Sequence, residues 1–156
     1  MKRIIIASDH AGFVLKEKLK SYLKKTGYSV RDFGTYSKER CDYPESAYSL
    51  AKEISGLRFK KGILICKSGI GNSIVANRLS GVRAALCYNA KAARLSRRHN
   101  DSNVLVLGSA FVNAGLAKRI VKVWLDTPFE GGRHKRRLDL VKNIERKIRG
   151  EKKWNA

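Results

Sequence analysis

Gly62-Ile63-Leu64-Ile65-Cys66-Lys67-Ser68-Gly69-Ile70-Gly71-Asn72-Ser73 is the stretch that decides the fold. Its first five residues form an unbroken apolar run closed by a thiol, the pattern of a strand buried on both faces. A tight turn with glycines at 69 and 71 follows, and a helix is expected from about Asn72 to Leu79. The same alternation extends in both directions. Upstream, Ile4–Ala7 reads as a strand. Phe13–Lys25 reads as a helix with Leu15, Leu19, Tyr22 and Leu23 on one face, stopped by Gly27. Tyr28–Phe33 is a second strand, and a polar loop leads through Tyr43-Pro44 to a helix over Glu45–Ile54. Downstream come a strand over Val82–Cys87, a helix over Ala90–Arg98, a strand over Asn103–Leu107 and a helix over Asn113–Leu125. A very basic helix, Arg133–Arg149, closes the pattern. Doubly buried strands alternating with helices predict an α/β fold, a doubly wound sandwich on a five-stranded parallel sheet.

The chain has 156 residues, which suits one domain, expected over residues 1–149 with a basic C-terminal tail at 150–156. No apolar stretch approaches the ~20 residues that cross a bilayer, so no membrane association is expected. The run Ile4-Ile5-Ile6-Ala7 is too short for a secretory core, and Asp9 and His10 follow at once. Cys41, Cys66 and Cys87 are odd in number and lack metal-type spacing, which fits a reducing, cytoplasmic setting. Thirty-four Lys and Arg against thirteen Asp and Glu give a formal net charge of +21. Such a field steers phosphorylated substrates and also fits a nucleic-acid-binding module or a merely solvated basic surface.

In open parallel sheets ligands bind beyond the carboxyl ends of the strands. The polar residues there are Ser8, Asp9 and His10, then Cys66 to Gly71, then Gly108 onward. The Gly69-Ile70-Gly71 turn lets the backbone approach a ligand and gather N–H groups on an anion. It has neither the Walker spacing nor a third glycine of a dinucleotide fingerprint. Cys66, at a strand end beside that turn and Lys67, is placed to favour its thiolate. An inert buried cysteine is the alternative reading. His10, His99 and His134 fall in no metal-ligand spacing, and each could be an ordinary surface histidine. Arg133 and Arg137, four apart, share a helical face whose guanidinium groups suit a phosphate; a solvated basic face is the alternative.

Ser8-Asp9-His10-Ala11-Gly12, Phe33-Gly34-Thr35-Tyr36, Asp42-Tyr43-Pro44, Gly62–Cys66, Gly69-Ile70-Gly71, Ala76-Asn77-Arg78, Ser96-Arg97-Arg98-His99-Asn100 and Glu130-Gly131-Gly132-Arg133-His134 together resemble the ribose-5-phosphate isomerase B family. The resemblance runs from Met1 to about Arg149 in matching order. That family also includes galactose-6-phosphate and allose-6-phosphate isomerases. The resemblance implies a Rossmann-like three-layer α/β/α sandwich, no metal and no organic cofactor. It also implies a homodimer or dimer of dimers, with active sites at the interface built from both chains. By resemblance Cys66 moves the proton between C1 and C2 of the open-chain sugar, and the Lys67, Ser68, Gly69, Ile70 and Gly71 backbone holds the enediolate. Ser68 assists at the same oxygens. His99 opens the furanose ring with Asp9 as its partner. Asn100 holds the intermediate, Tyr43 contacts the sugar, and His10, Arg133 and Arg137 hold the phosphate.

One branch of the family uses glutamate as base at the position of Asn72. An amide cannot take that role, so the cysteine branch is indicated. Lys67 stands where the family usually has glycine. Ala110 stands where ribose-phosphate members usually carry an arginine for the phosphate. By resemblance the expected reaction is interconversion of ribose 5-phosphate and ribulose 5-phosphate, and the two departures bear on which sugar phosphate is taken. A four- or six-carbon aldose phosphate is the same-class alternative, and a basic nucleic-acid-binding protein on the same scaffold the different-class one. Binding of polyanions is expected to be nonspecific only.

Overall fold

A computed structural model describes residues 2–150. Six residues of the expected tail, 151–156, therefore lie outside the described residues. The elements are β1 (Lys2–Ser8), α1 (Phe13–Lys25), β2 (Tyr28–Asp32), α2 (Tyr43–Ser55), β3 (Gly62–Cys66), α3 (Ile70–Ala76), β4 (Ala84–Leu86), α4 (Ala90–Asn100), β5 (Val104–Gly108), α5 (Ala114–Asp126) and α6 (Arg133–Ile148). The five strands pair in the order β2-β1-β3-β5-β4, all parallel.

Alternation along the strands sorts the core into two layers. Ile4 and Ile6 of β1, Ile63 and Ile65 of β3, and Leu105 and Leu107 of β5 face α1, α4 and α5, where they meet Leu15, Leu19, Ala93, Ile120 and Trp124. Ile5, Ala7, Leu64, Val104 and Val106 face α2 and α3, against Ala47, Leu50, Ile54 and Ala76. β3 and β5 are buried at every residue, as their continuous apolar runs demand.

Several boundaries differ from the sequence expectation. α2 begins at Tyr43, because Pro44 is tolerated in a first helical turn. α3 begins at Ile70 and ends at Ala76, earlier at both ends than expected. Val82 and Cys87 flank β4 but lie outside it, so the strand shrinks to three residues. This short strand is a sheet edge. The Asn77 side chain accepts from the Ala84 N–H at 2.8 Å and donates to the Ala84 carbonyl at 3.0 Å, occupying groups that could recruit another strand.

Beneath β2 lies a buried charge. The Lys16 ammonium, with no side-chain exposure, sits 2.7 Å from both Asp32 carboxylate oxygens. Burial alone would raise the Asp32 carboxyl; the Lys16 and Lys20 ammonium groups and the Gly34 N–H outweigh it and hold it below the usual range. This pair joins α1 to the end of β2 and so fixes the loop that carries Thr35 toward the site.

β1 leads outward to β2, and the chain then crosses back to place β3 on the other side of β1. The carboxyl ends of β1 and β3 thus flank a topological switch point, where such sheets open a crevice. Asp9 and Cys66 stand at its two sides.

Candidate active site

Cys66 ends β3 and is 4% exposed. The Gly69 N–H donates to its Sγ at 3.1 Å, and the N–H groups of Asn72 and Ser68 also point to the sulfur. The glycine turn therefore gathers its donors on the thiol itself. Gly69 has φ +84°, a left-handed conformation that a side chain would strain. At Gly71 the need is space: a Cβ there would lie 2.5 Å from the Tyr43 ring, so the glycine lets Tyr43 pack against the turn.

The expectation that this setting favours the thiolate is corrected. Burial dominates and pushes the Cys66 thiol above its ordinary value, and the nearby Asp9 carboxylate adds to the rise. The three N–H donors pull the other way and do not win. Lys67, the cation expected to help, is exposed; its backbone carbonyl accepts from the Ala110 N–H at 3.0 Å. The two positions that depart from the family pattern are thus bonded neighbours.

Asp9 is 6% exposed, and its carboxylate accepts from the Gly12 N–H at 2.9 Å, opening α1. His10 is half-buried, with Nδ1 3.1 Å from the Cys41 carbonyl and 3.3 Å from the Cys41 amide nitrogen. That loop contact explains a role for Cys41 that its thiol does not suggest. Ser68 accepts from the Ile70 N–H at 3.2 Å through Oγ, and its carbonyl accepts from the Tyr88 hydroxyl at 2.8 Å. Asp9, His10, Tyr43 and Cys66 through Gly71 therefore gather at the carboxyl edge of the sheet.

His99, Asn100, Arg133 and Arg137 gather elsewhere. His99 and Asn100 close α4, which runs back toward the start of β5. The Asn103 carbonyl accepts from the Gly62 N–H at 2.9 Å, whereas Gly108 pairs with Cys66. The rise from Val104 to Gly108 alone is about 13 Å. The His99 group thus lies at the amino edge, the far end of the strands from Cys66. There the His99 and His134 rings stack, with centroids 4.2 Å apart and planes at 9°. Burial, then His99, disfavour a charged His134. Arg133 and Arg137 are exposed and have no carboxylate partner among the described residues. Within one chain, Asp9 does not meet His99, and His10 does not meet the arginines.

Two features were missed in the sequence. The stacked histidines with Glu130 are one; His99 and His134 are 35 positions apart and only the fold joins them. The other is the burial of Asn72, whose side-chain amide nitrogen and oxygen have no hydrogen-bond partner among the described residues.

A family model described as Ribose/Galactose Isomerase matches residues 4–141. The chain belongs to this family. Ribose-5-phosphate isomerase B of Escherichia coli (strain K12) is 46% identical over 147 residues, covering 94% of this chain and 99% of that protein. Among solved structures, ribose-5-phosphate isomerase B of Clostridium thermocellum shares 45% identity with TM-score 0.92, covering 94% of this chain and 99% of its own. The enzyme of Mycoplasma genitalium, solved with bound ribulose-5-phosphate, shares 40% identity with TM-score 0.89 over 92% of this chain and 96% of its own. The Rossmann-like sandwich with a five-stranded parallel sheet, expected from sequence, is what these relatives share with the chain. Among the described residues no helix is long and apolar enough to cross a membrane.

Proposed function

We propose that the protein is an aldose–ketose isomerase that interconverts ribose 5-phosphate and ribulose 5-phosphate. The observation that carries this reading is Cys66, buried at the switch point with three backbone N–H groups on its sulfur. A proton next to a carbonyl is weakly acidic, so its removal needs a base and donors for the oxyanion that develops. Cys66 supplies the base once ionised. The Ser68–Gly71 backbone supplies donors, and Ser68 Oγ stands beside them. Because burial holds the thiol protonated, the reactive thiolate is a minor form, and the same N–H groups lower the cost of making it.

In this reading the site is completed by a second copy of the chain. Cys66 and His99 lie at opposite sheet edges, so a furanose at Cys66 meets His99 of the partner subunit. The partner's Asn100, Arg133 and Arg137 come with it, facing Asp9, His10 and Tyr43. Exposed apolar residues beside each half support the pairing: Ile70 and Ile74 on α3, and Leu140, Val141, Ile144 and Ile148 on α6. His99 then opens the ring with Asp9, Asn100 holds the enediolate, Tyr43 contacts the sugar, and His10 with the arginines holds the phosphate. No cofactor enters these steps. Lys67 and Ala110, the two departures from the family pattern, carry a second reading for the substrate alone, a four- or six-carbon aldose phosphate. We place the enzyme in the cytoplasm, as one domain over residues 1–149, with its basic surface binding polyanions only through counterion release.

The test is turnover of ribose 5-phosphate by wild type and Cys66→Ala. The alanine variant should keep its fold and lose isomerisation. Substantial residual turnover would remove Cys66 from the proton transfer.

A further inference from the structure

We propose that Tyr88 is a positioning residue for the reaction: its hydroxyl holds the Ser68–Gly69 peptide so that the Gly69 N–H faces Cys66 and the oxyanion formed beside it. The aim of that N–H is a property of the fold alone; its effect on turnover rests on the isomerase reading given above.

A peptide unit is planar, and in its trans form the carbonyl and the N–H point in opposite directions. The Gly69 N–H, which donates to Cys66 Sγ at 3.1 Å, shares its plane with the Ser68 carbonyl, which accepts from the Tyr88 hydroxyl at 2.8 Å. Backbone bonds tie the two preceding carbonyls in the same way. The Cys66 carbonyl accepts from the Ser109 N–H at 2.9 Å, and the Lys67 carbonyl from the Ala110 N–H at 3.0 Å. The second of these fixes the plane that carries the Ser68 N–H, another donor to the sulfur. Three consecutive carbonyls are thus anchored, and the last of them is anchored by a side chain.

The Ser68–Gly69 plane is the one that needs holding. Gly69 stands at φ +84° and ψ −16°, the conformation of the third residue of a type II turn. Glycine equally accepts the negative φ of a type I turn, and the two turns differ chiefly by a flip of the preceding peptide plane. That flip would turn the Ser68 carbonyl toward Cys66 and set a partial negative charge against the thiolate and the enediolate. The bond from Tyr88 forms in the unflipped orientation and so favours it. A donor on the carbonyl also polarises the peptide and strengthens its N–H. The surroundings keep Tyr88 in place. Its ring packs on Phe111, with centroids 5.0 Å apart and planes at 39°. Gly108 lies against the same carbonyl, since a Cβ there would stand 2.4 Å from the Ser68 oxygen.

The experiment is Tyr88→Phe, which keeps the ring on Phe111 and removes only the hydroxyl. The Cys66 thiolate is titrated by its ultraviolet absorption, as the difference between each protein and its Cys66→Ala counterpart. Its midpoint should rise by about half to one pH unit, because the Gly69 N–H lowers it in the wild type. Loss of a whole oxyanion donor costs about 10²–10³ in kcat, so a donor left in place but loosened should cost about tenfold. The substrate is an acyclic four-carbon aldose phosphate, and the Michaelis constant should change little, since the donor acts on developing charge. Tyr88→Leu, which removes the ring as well, should melt at lower temperature than Tyr88→Phe and share its midpoint. A midpoint that follows the melting temperature instead of the hydroxyl would make Tyr88 a merely structural residue and overturn the proposal. So would an unmoved midpoint, whatever happens to kcat. A raised midpoint with kcat untouched would uphold the aim of the N–H and overturn its part in the reaction. Full activity in Cys66→Ala would sink the isomerase reading by itself, and the midpoint would still decide whether Tyr88 aims the Gly69 N–H.

Discussion

If each active site takes Cys66 from one chain and His99 from another, two inactive variants should repair each other. Cys66→Ala removes the base, and His99→Asn removes ring opening on a furanose substrate. Both groups act at the C1 end of one sugar, each within hydrogen-bond reach of about 3 Å, so the two side chains must stand within roughly twice that distance. In one chain they are separated by at least the length of β5, about 13 Å. Mixed dimers carry one doubly damaged site and one intact site. Random exchange in an equal mixture makes half of the dimers mixed, so about one quarter of the wild-type activity should appear. The assay is ketose formation from ribose 5-phosphate after subunit exchange in mild denaturant. Wild type mixed equally with the Cys66→Ala/His99→Asn double variant gives the converse. Every mixed dimer then has two damaged sites, and activity should fall to about one quarter rather than one half. No recovery in the first mixture and one half in the second would place both groups in one chain and refute the two-chain site.

Because burial raises the Cys66 thiol, kcat/KM for an acyclic four-carbon aldose phosphate should climb about tenfold per pH unit from neutrality toward pH 8.5; a plateau below pH 8 would contradict the raised value. Cys87 is buried and pushed up to about 11 from 9.0, so its contribution to stability is present below pH 9 and lost as pH rises toward 11, by about 2–3 kcal/mol; thermal melts of wild type and Cys87→Ala should converge across that window, and a constant difference would refute the shift. Asp32→Ala strands the buried Lys16 ammonium and should destabilise the fold by about 3–5 kcal/mol in urea titrations, whereas a loss under 1 kcal/mol would show Lys16 satisfied without it. Lys67→Gly should raise the Michaelis constant about ten- to hundredfold, and adding Ala110→Arg should restore much of it; an unchanged constant in Lys67→Gly would remove the lysine from the phosphate site.

The sheet was legible because its signal is strong and local. β3 and β5 are continuous apolar runs, and a strand shielded on both faces can be little else. β4 was legible only as a place. Val82 and Cys87 are as apolar as its centre, yet an edge strand ends where pairing with β5 ends, and pairing is set by the neighbour. The start of α2 was misplaced because Tyr43 and Pro44 read as loop residues, while proline in a first turn costs a helix nothing.

The candidate site was legible as a set of residue types and not as a shape. The glycine turn, Cys66 and Asp9 are close in space because strand ends adjoin, which the strand pattern foretells. The state of the thiol was misjudged because it depends on a balance. Sequence displays the favourable members, Lys67 and the turn's N–H groups, but hides the burial that outweighs them. The roles of the His99 group were assigned by likeness, yet its place at the far edge of the sheet was implicit in the strand–helix alternation. That placement follows from helix α4 running antiparallel to β5, so its last turn returns to the strand's beginning. A parallel sheet puts catalytic loops at one edge and helix C-termini at the other. A reaction that needs residues from both is therefore best served by a second molecule turned to face the first.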